Sequence, residues 1–274
     1  MNDSTPDDEE FLVNTDWLAA HLDDPAVRIV DTRKGDVYPT AHIPNAVHIG
    51  GSPFLRDQGD VIGPAAFAGL ISGLGIGTTT MVIAYDDGNN LFGGRLWWAL
   101  NYYGHRQVRV LDGGFDAWIA EGRAREDTIR TAYPAEFEPR RKDQWIADSA
   151  YVEASIGNPD RVILDVRGAE EWNRLEAPEG STPPGHIPGA VHLVWSDVID
   201  TTTMRFKSQP RLREMFENLG IRNDQEIIPY CFGGIRAAHS VLALKLAGFG
   251  RIRNYEGSWV DWSRAGLPIE PVDA

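Results

Sequence analysis

Glu226-Ile227-Ile228-Pro229-Tyr230-Cys231-Phe232-Gly233-Gly234-Ile235-Arg236 decides the fold, because it reads as a short apolar strand running into a glycine-rich turn. Behind it, Ala237-Ala238-His239-Ser240-Val241-Leu242-Ala243-Leu244-Lys245-Leu246-Ala247 reads as a helix, with Gly248 past its end as a cap. Cys231, the single cysteine of the 274 residues, therefore falls at the C-terminal end of a strand and just before a helix. A thiolate there is stabilised by the positive end of the helix dipole and by backbone N–H groups, which two glycines let approach closely. A lone cysteine is otherwise a small buried hydrophobe.

The surrounding chain is a tandem duplication. Ile29-Val30-Asp31-Thr32-Arg33 is echoed by Ile163-Leu164-Asp165-Val166-Arg167, and His42-Ile43-Pro44-Asn45-Ala46 by His186-Ile187-Pro188-Gly189-Ala190. Val82-Ile83-Ala84-Tyr85-Asp86 matches Ile227-Ile228-Pro229-Tyr230-Cys231, and Asp112-Gly113-Gly114 matches Glu256-Gly257-Ser258, in the same order. A repeat this long means two copies of a domain rather than a solenoid. Within each copy, short β-branched runs alternate with helical segments, at residues 16–22, 65–74 and 95–103 in the first. That alternation predicts an α/β fold with a mainly parallel sheet covered on both faces. Pro229 suits a central strand poorly, so the ladder is expected to be ending where it stands. Ligands of open α/β sheets bind beyond the carboxyl ends of strands, where Cys231 lies.

On these residues the chain resembles the two-domain rhodanese-type sulfurtransferases, which act on thiosulfate or 3-mercaptopyruvate. The resemblance rests on the Asp-x-Arg strand ends, the paired His-Ile-Pro-x-Ala segments, the six-residue loop opening with Cys231 and the closing Tyr255-Glu256-Gly257-Ser258-Trp259. It implies two tandem rhodanese-like domains. The N-terminal domain, residues 1–130, is expected to be non-catalytic, since Asp86 stands at the cysteine position. A linker is expected over residues 131–147 and the catalytic domain over 148–274. Tyr133, Phe137 and Trp145 are expected to pin the linker to the domains.

The resemblance also implies the chemistry. The Cys231 thiolate takes the outer sulfur of a small anionic donor and holds it as a persulfide until a thiophilic acceptor, cyanide or a thiol, removes it. A thioredoxin-like reductant is an implied partner, and no cofactor or metal is implied. Phe232, Gly233, Gly234, Ile235 and Arg236 are the expected active loop, their N–H groups stabilising the sulfur. Thiosulfate-preferring relatives place basic residues directly after the cysteine and mercaptopyruvate-preferring ones place small neutral residues; Phe232 and Gly233 match neither. Thiosulfate is the expected donor, with mercaptopyruvate as the enzymatic alternative and a non-catalytic sulfur-carrying or partner-binding module as the other. The family's substrate-binding arginine position is occupied here by Glu171, and Arg174 is the candidate to replace it.

The loop itself separates the nearest rivals. Phosphatases with a cysteine nucleophile use Cys-x5-Arg to surround a tetrahedral phosphate, whereas four residues separate Cys231 from Arg236, a tighter ring. Arg236, the only cation of that loop, either grips the donor's sulfonate or carboxylate or pairs with an acidic neighbour. Asp31, Arg33, Asp165 and Arg167 recur in both copies, as do His42 and His186, so they are expected to support the fold. His239 is a candidate proton relay. Residues 86–94 lack the lysine of a phosphate-binding loop and are expected to be a divergent active loop at the domain interface.

Composition bounds the rest. A formal net charge of −14 opposes nucleic-acid and anionic-membrane binding, so local arginines must draw in an anionic substrate. With 42% hydrophobic residues and nine tryptophans the chain can fill two cores. No apolar run reaches the ~18 to 20 residues of a membrane span, and the acidic start is unlike a signal peptide. A single cysteine fits a reducing compartment, and a cytoplasmic location is expected.

Overall fold

A computed structural model describes residues 11–49, 56–57, 60–176 and 181–272. The first half holds strands β1 (Leu12–Val13), β2 (Val27–Asp31), β3 (Val47–His48), β4 (Arg56–Asp57), β5 (Asp60–Val61), β6 (Met81–Tyr85) and β7 (Val108–Leu111). Its helices are α1 (Thr15–Ala20), α2 (Pro64–Gly73), α3 (Leu91–Tyr102) and α4 (Gly114–Ala120). The second half holds β8 (Ile146–Ala147), β9 (Arg161–Asp165), β10 (Val191–His192), β11 (Ile199–Asp200), β12 (Arg205–Phe206), β13 (Glu226–Tyr230) and β14 (Asn254–Tyr255). Its helices are α5 (Ser149–Glu153), α6 (Ala169–Trp172), α7 (Gln209–Glu217), α8 (Ile235–Leu246) and α9 (Ser258–Arg264).

Both halves carry the same parallel topology. The first sheet runs β1-β7-β6-β2-β3. The second runs β10-β9-β13, and a bridge from Ile227 to Ile252 leads on toward the β14–β8 pair, which restores the same strand order. Successive residues of one strand serve opposite cores, as a pleat of period two requires. Val82 and Ala84 pack with α2 and α3, whereas Ile83 and Tyr85 pack with Leu18 of α1 and Trp118 of α4. A sheet buried on both faces explains why the strands read as unbroken apolar runs.

Pro229 corrects the expectation of an ending ladder only in part: one residue from the end of β13 it still pairs with Leu164 of β9, while the ladder on its other edge has ended. The reason lies in which way its nitrogen faces. Ile227, two residues earlier and therefore on the same edge, exchanges its backbone bonds with Arg251 and Arg253 rather than with β9. By Pro229 that outer pairing has stopped, so no ladder donor is lost. Tyr133 is a second correction. Phe137 inserts beside Phe67 and His105, and Trp145 packs edge-on against Trp97, but Tyr133 is 93% exposed. The neighbouring Ala132 is what fits against Gly75 there, which turns the tyrosine outward.

The halves meet through α3 and α8, whose apolar faces join one continuous core. Gly94 of α3 lies against His239, where a Cβ would come within 3.3 Å of the His239 Cα. Nearby, Arg95 of α3 makes a buried bidentate ion pair with Glu256, at 2.6 and 2.7 Å. From the other side, the β11–β12 hairpin lies on the first half: Phe206 donates its N–H to Asp112 (3.0 Å) and Arg205 pairs with Glu121 (2.7 Å). Among the described residues, no helix is long and apolar enough to cross a membrane.

Candidate active site

Cys231 leaves the end of β13, and its thiol is buried at 1% exposure in the cup formed by the turn into α8. Gly234 caps that helix in the left-handed conformation (φ 87°) and donates its N–H to the Cys231 Sγ at 3.1 Å. Only glycine fits there, since a Cβ would approach the Glu256 carbonyl oxygen to 2.5 Å. Within the loop, the Gly234 N–H reaches Sγ and the Arg236 guanidinium also interacts with the thiol.

The turn between β14 and α9 fixes the loop from below. Ser258 Oγ accepts the Cys231 N–H at 3.1 Å, donates to the Tyr255 carbonyl at 2.8 Å and stands 4.0 Å from Sγ. Trp259 and Val260 donate their N–H groups to the carbonyls of Cys231 and Phe232. Ser258 holds φ at +54°, a left-handed conformation that costs a non-glycine residue energy and persists where the surroundings enforce it. Sequence reasoning gave Ser258 no role. A signal was present, because the matching residue of the first copy is Gly114, at φ +55°.

Arg236 pairs with an acidic neighbour, its terminal nitrogens gripping both Glu171 oxygens at 2.5 and 2.9 Å. Burial works against the Arg236 charge, but the Glu171 hydrogen bond and the neighbouring Cys231 outweigh it and raise the guanidinium further above its ordinary range. Glu171 responds in kind: burial pushes its carboxyl up, and the Arg236 and Gly168 N–H bonds more than reverse that. Arg174 donates to the carbonyls of Thr182 (2.8 Å) and Pro183 (3.5 Å), so the structure places it on the segment leading to His186. Gly233 and Ile235 complete the turn, while Phe232 is 45% exposed at its rim.

The repeated polar residues hold the fold in both copies. Arg33 clamps Asp31 and Arg167 clamps Asp165, each at 2.6 Å, and Tyr85 and Tyr230 donate to the same two aspartates. Those tyrosine oxygens also accept the N–H of Ile43 and Ile187, which ties each His-Ile-Pro segment to a strand end. His42 bonds the Tyr38 carbonyl at 2.8 Å, and His186 lies 3.8 Å from Glu270. Among the described residues, no group of three or more His, Cys, Asp or Glu side chains is placed to hold a metal.

In the first copy Asp86 follows β6 as Cys231 follows β13, and its carboxylate accepts N–H bonds from Asn90 (3.0 Å), Phe92 (2.9 Å) and Gly93 (3.4 Å). Burial nevertheless pushes the Asp86 carboxyl up to about 6, the three N–H bonds opposing it. His239 packs edge-on against Trp195 and face-on against Phe206, and burial pulls its imidazole down to about 4. A neutral ring so enclosed is a poor proton relay.

These two groups give opposed pH slopes. The folded state holds the Asp86 proton more tightly than the unfolded chain does, so its contribution is full below the unfolded value of 3.8 and is lost as pH rises through about 6. His239 does the reverse: its folded value lies below the unfolded 6.5, and stability is lost as pH falls from there through about 4. Asp86→Asn should therefore steepen the loss of stability on acidification from pH 6.5 to 4, by on the order of 1 to 3 kcal/mol. Urea midpoints across that range check this, and parallel wild-type and variant profiles would contradict it.

Comparison with known proteins agrees with this architecture. The family described as Rhodanese-like domain matches twice, at residues 14–121 and 148–265. The chain is 35% identical to the sulfur carrier protein TtuD of Thermus thermophilus, covering 95% of this chain and 96% of that one. It is 33% identical to a thiosulfate sulfurtransferase of Corynebacterium glutamicum, covering 95% and 90%. Among solved structures, the 3-mercaptopyruvate sulfurtransferase SseA of Escherichia coli superposes with a TM-score of 0.79 at 28% identity, covering 91% of this chain and 98% of that one.

Proposed function

We infer, for a chain that belongs to the rhodanese family of thiosulfate and 3-mercaptopyruvate sulfurtransferases, that it moves the outer sulfur of thiosulfate to a thiophilic acceptor through a persulfide on Cys231. The observation that carries this reading is the thiol itself, set at the N-terminus of α8 with the Gly234 N–H on its sulfur at 3.1 Å. In the first half-reaction the Cys231 thiolate attacks the outer sulfur. A new S–S bond forms, the S–S bond of thiosulfate breaks, and sulfite leaves with the electron pair. In the second, cyanide or a thiol attacks the terminal sulfur of the persulfide and the thiolate is restored. A dithiol reductant of the thioredoxin kind suits that step as a protein acceptor.

The first half does no sulfur chemistry in this account, since Asp86 cannot form a persulfide. It shelters the Cys231 loop, chiefly through α3 against α8 and the Arg95–Glu256 pair. A mercaptopyruvate donor is the alternative, supported by the likeness to the Escherichia coli enzyme. Steady-state rates with both donors and cyanide as acceptor distinguish the two. Higher kcat/KM with thiosulfate is the expected result, and a strong preference for mercaptopyruvate would replace it with the alternative.

A further inference from the structure

We propose that Glu171 moderates donor selectivity: by occupying the guanidinium of Arg236 it weakens the hold on dianionic sulfur donors at Cys231 below what an unpaired Arg236 would give, without reversing the preference for thiosulfate. The inference rests on the reading of Cys231 as the sulfur-accepting group. Both terminal nitrogens of Arg236 are bonded by Glu171 (2.5 and 2.9 Å), so the loop's one cation meets an incoming donor with its fork already taken. The carboxylate is held in place, for its Oε2 also accepts the Gly168 N–H at 2.9 Å and caps the first turn of α6.

Charge arithmetic gives the direction. With Cys231 ionised, Glu171, Arg236 and Cys231 sum to −1, while the adjacent Asp165–Arg167 pair cancels internally. Arg174 keeps its positive charge but has its guanidinium on the Thr182 and Pro183 carbonyls, so it is outside this trio, and the rim residue beside the thiol is the uncharged Phe232. At the Cys231–Arg236–Glu171 trio a dianion therefore meets a net like charge, and feels the removal of the Glu171 charge twice as strongly as a monoanion does.

Glu171→Gln keeps the side-chain length and an oxygen for the Gly168 N–H while removing the charge. Calorimetric titration of thiosulfate into Cys231→Ser protein, with and without Glu171→Gln, reads binding apart from turnover. The exchange should tighten thiosulfate binding by at least about tenfold at low salt and less at high salt. In protein that retains Cys231, kcat/KM for thiosulfate should rise by a similar factor and that for mercaptopyruvate by about threefold, the effect on the logarithm scaling with donor charge. Unchanged or weaker thiosulfate binding in the variant would overturn the proposal, because Glu171 would then be positioning Arg236 to grip the donor. Absence of any persulfide on wild-type Cys231 would instead remove the sulfurtransferase reading, and the binding comparison would still decide whether Glu171 repels dianions.

Discussion

Cys231→Ser should abolish sulfur transfer, lowering kcat by at least about three orders of magnitude with either donor. The chain holds no second cysteine to take over, and a serine hydroxyl is a poor sulfur acceptor. The fold should persist. A serine oxygen can still accept the Gly234 N–H that now reaches the thiol, and the bonds from Ser258, Trp259 and Val260 that pin the loop run to backbone atoms of residues 231 and 232. Circular dichroism and the urea midpoint should therefore match wild type within about 1 kcal/mol. Turnover retained in a correctly folded serine variant would place the chemistry elsewhere.

Arg95→Leu should produce the largest loss of stability, about 3 to 5 kcal/mol, because it removes the guanidinium that pairs with the buried Glu256 carboxylate in the interface between the halves. Asn254 Nδ2, 2.9 Å from Glu256, would remain as a partner but carries no charge. The damage should also reach the thiol. The Glu256 carbonyl and carboxylate crowd the Cα of Gly234, whose N–H holds Sγ, so a shift of Glu256 displaces the Cys231 loop. Lower kcat should accompany the lower urea midpoint. Arg95→Leu combined with Glu256→Leu should be less destabilised than the sum of the single exchanges, since neither charge is then left alone. Strict additivity would mean that the two residues act independently.

Much of the fold was legible because it is written twice. The β-branched runs ending in Asp31 and Asp165, and the His-Ile-Pro segments that follow them, declare a repeated parallel sheet before any coordinate is known. The sheet order of the first half recurs in the second, with only the β13–β14 link reduced to a bridge. Cys231 was legible for a local reason, its place between a strand and a glycine-rich helix start. What could not be read was partnership over long chain separations. Nothing near Arg236 in sequence announces Glu171, 65 residues away, and nothing near Arg95 announces Glu256, 161 residues away. Both pairs depend on how packed elements meet. Pro229 shows the same limit within one strand, for its tolerance depends on which edge its nitrogen faces.

Intact-protein mass spectrometry of the wild type after brief exposure to thiosulfate tests the central claim most directly, because the chain has one cysteine and any adduct on a thiol must lie at Cys231. The account predicts a single added sulfur atom, mapped by peptide analysis to the segment containing Cys231 and removed stoichiometrically by cyanide as thiocyanate. An unmodified protein that still turns over thiosulfate, or an added sulfur that cyanide does not remove, would contradict it.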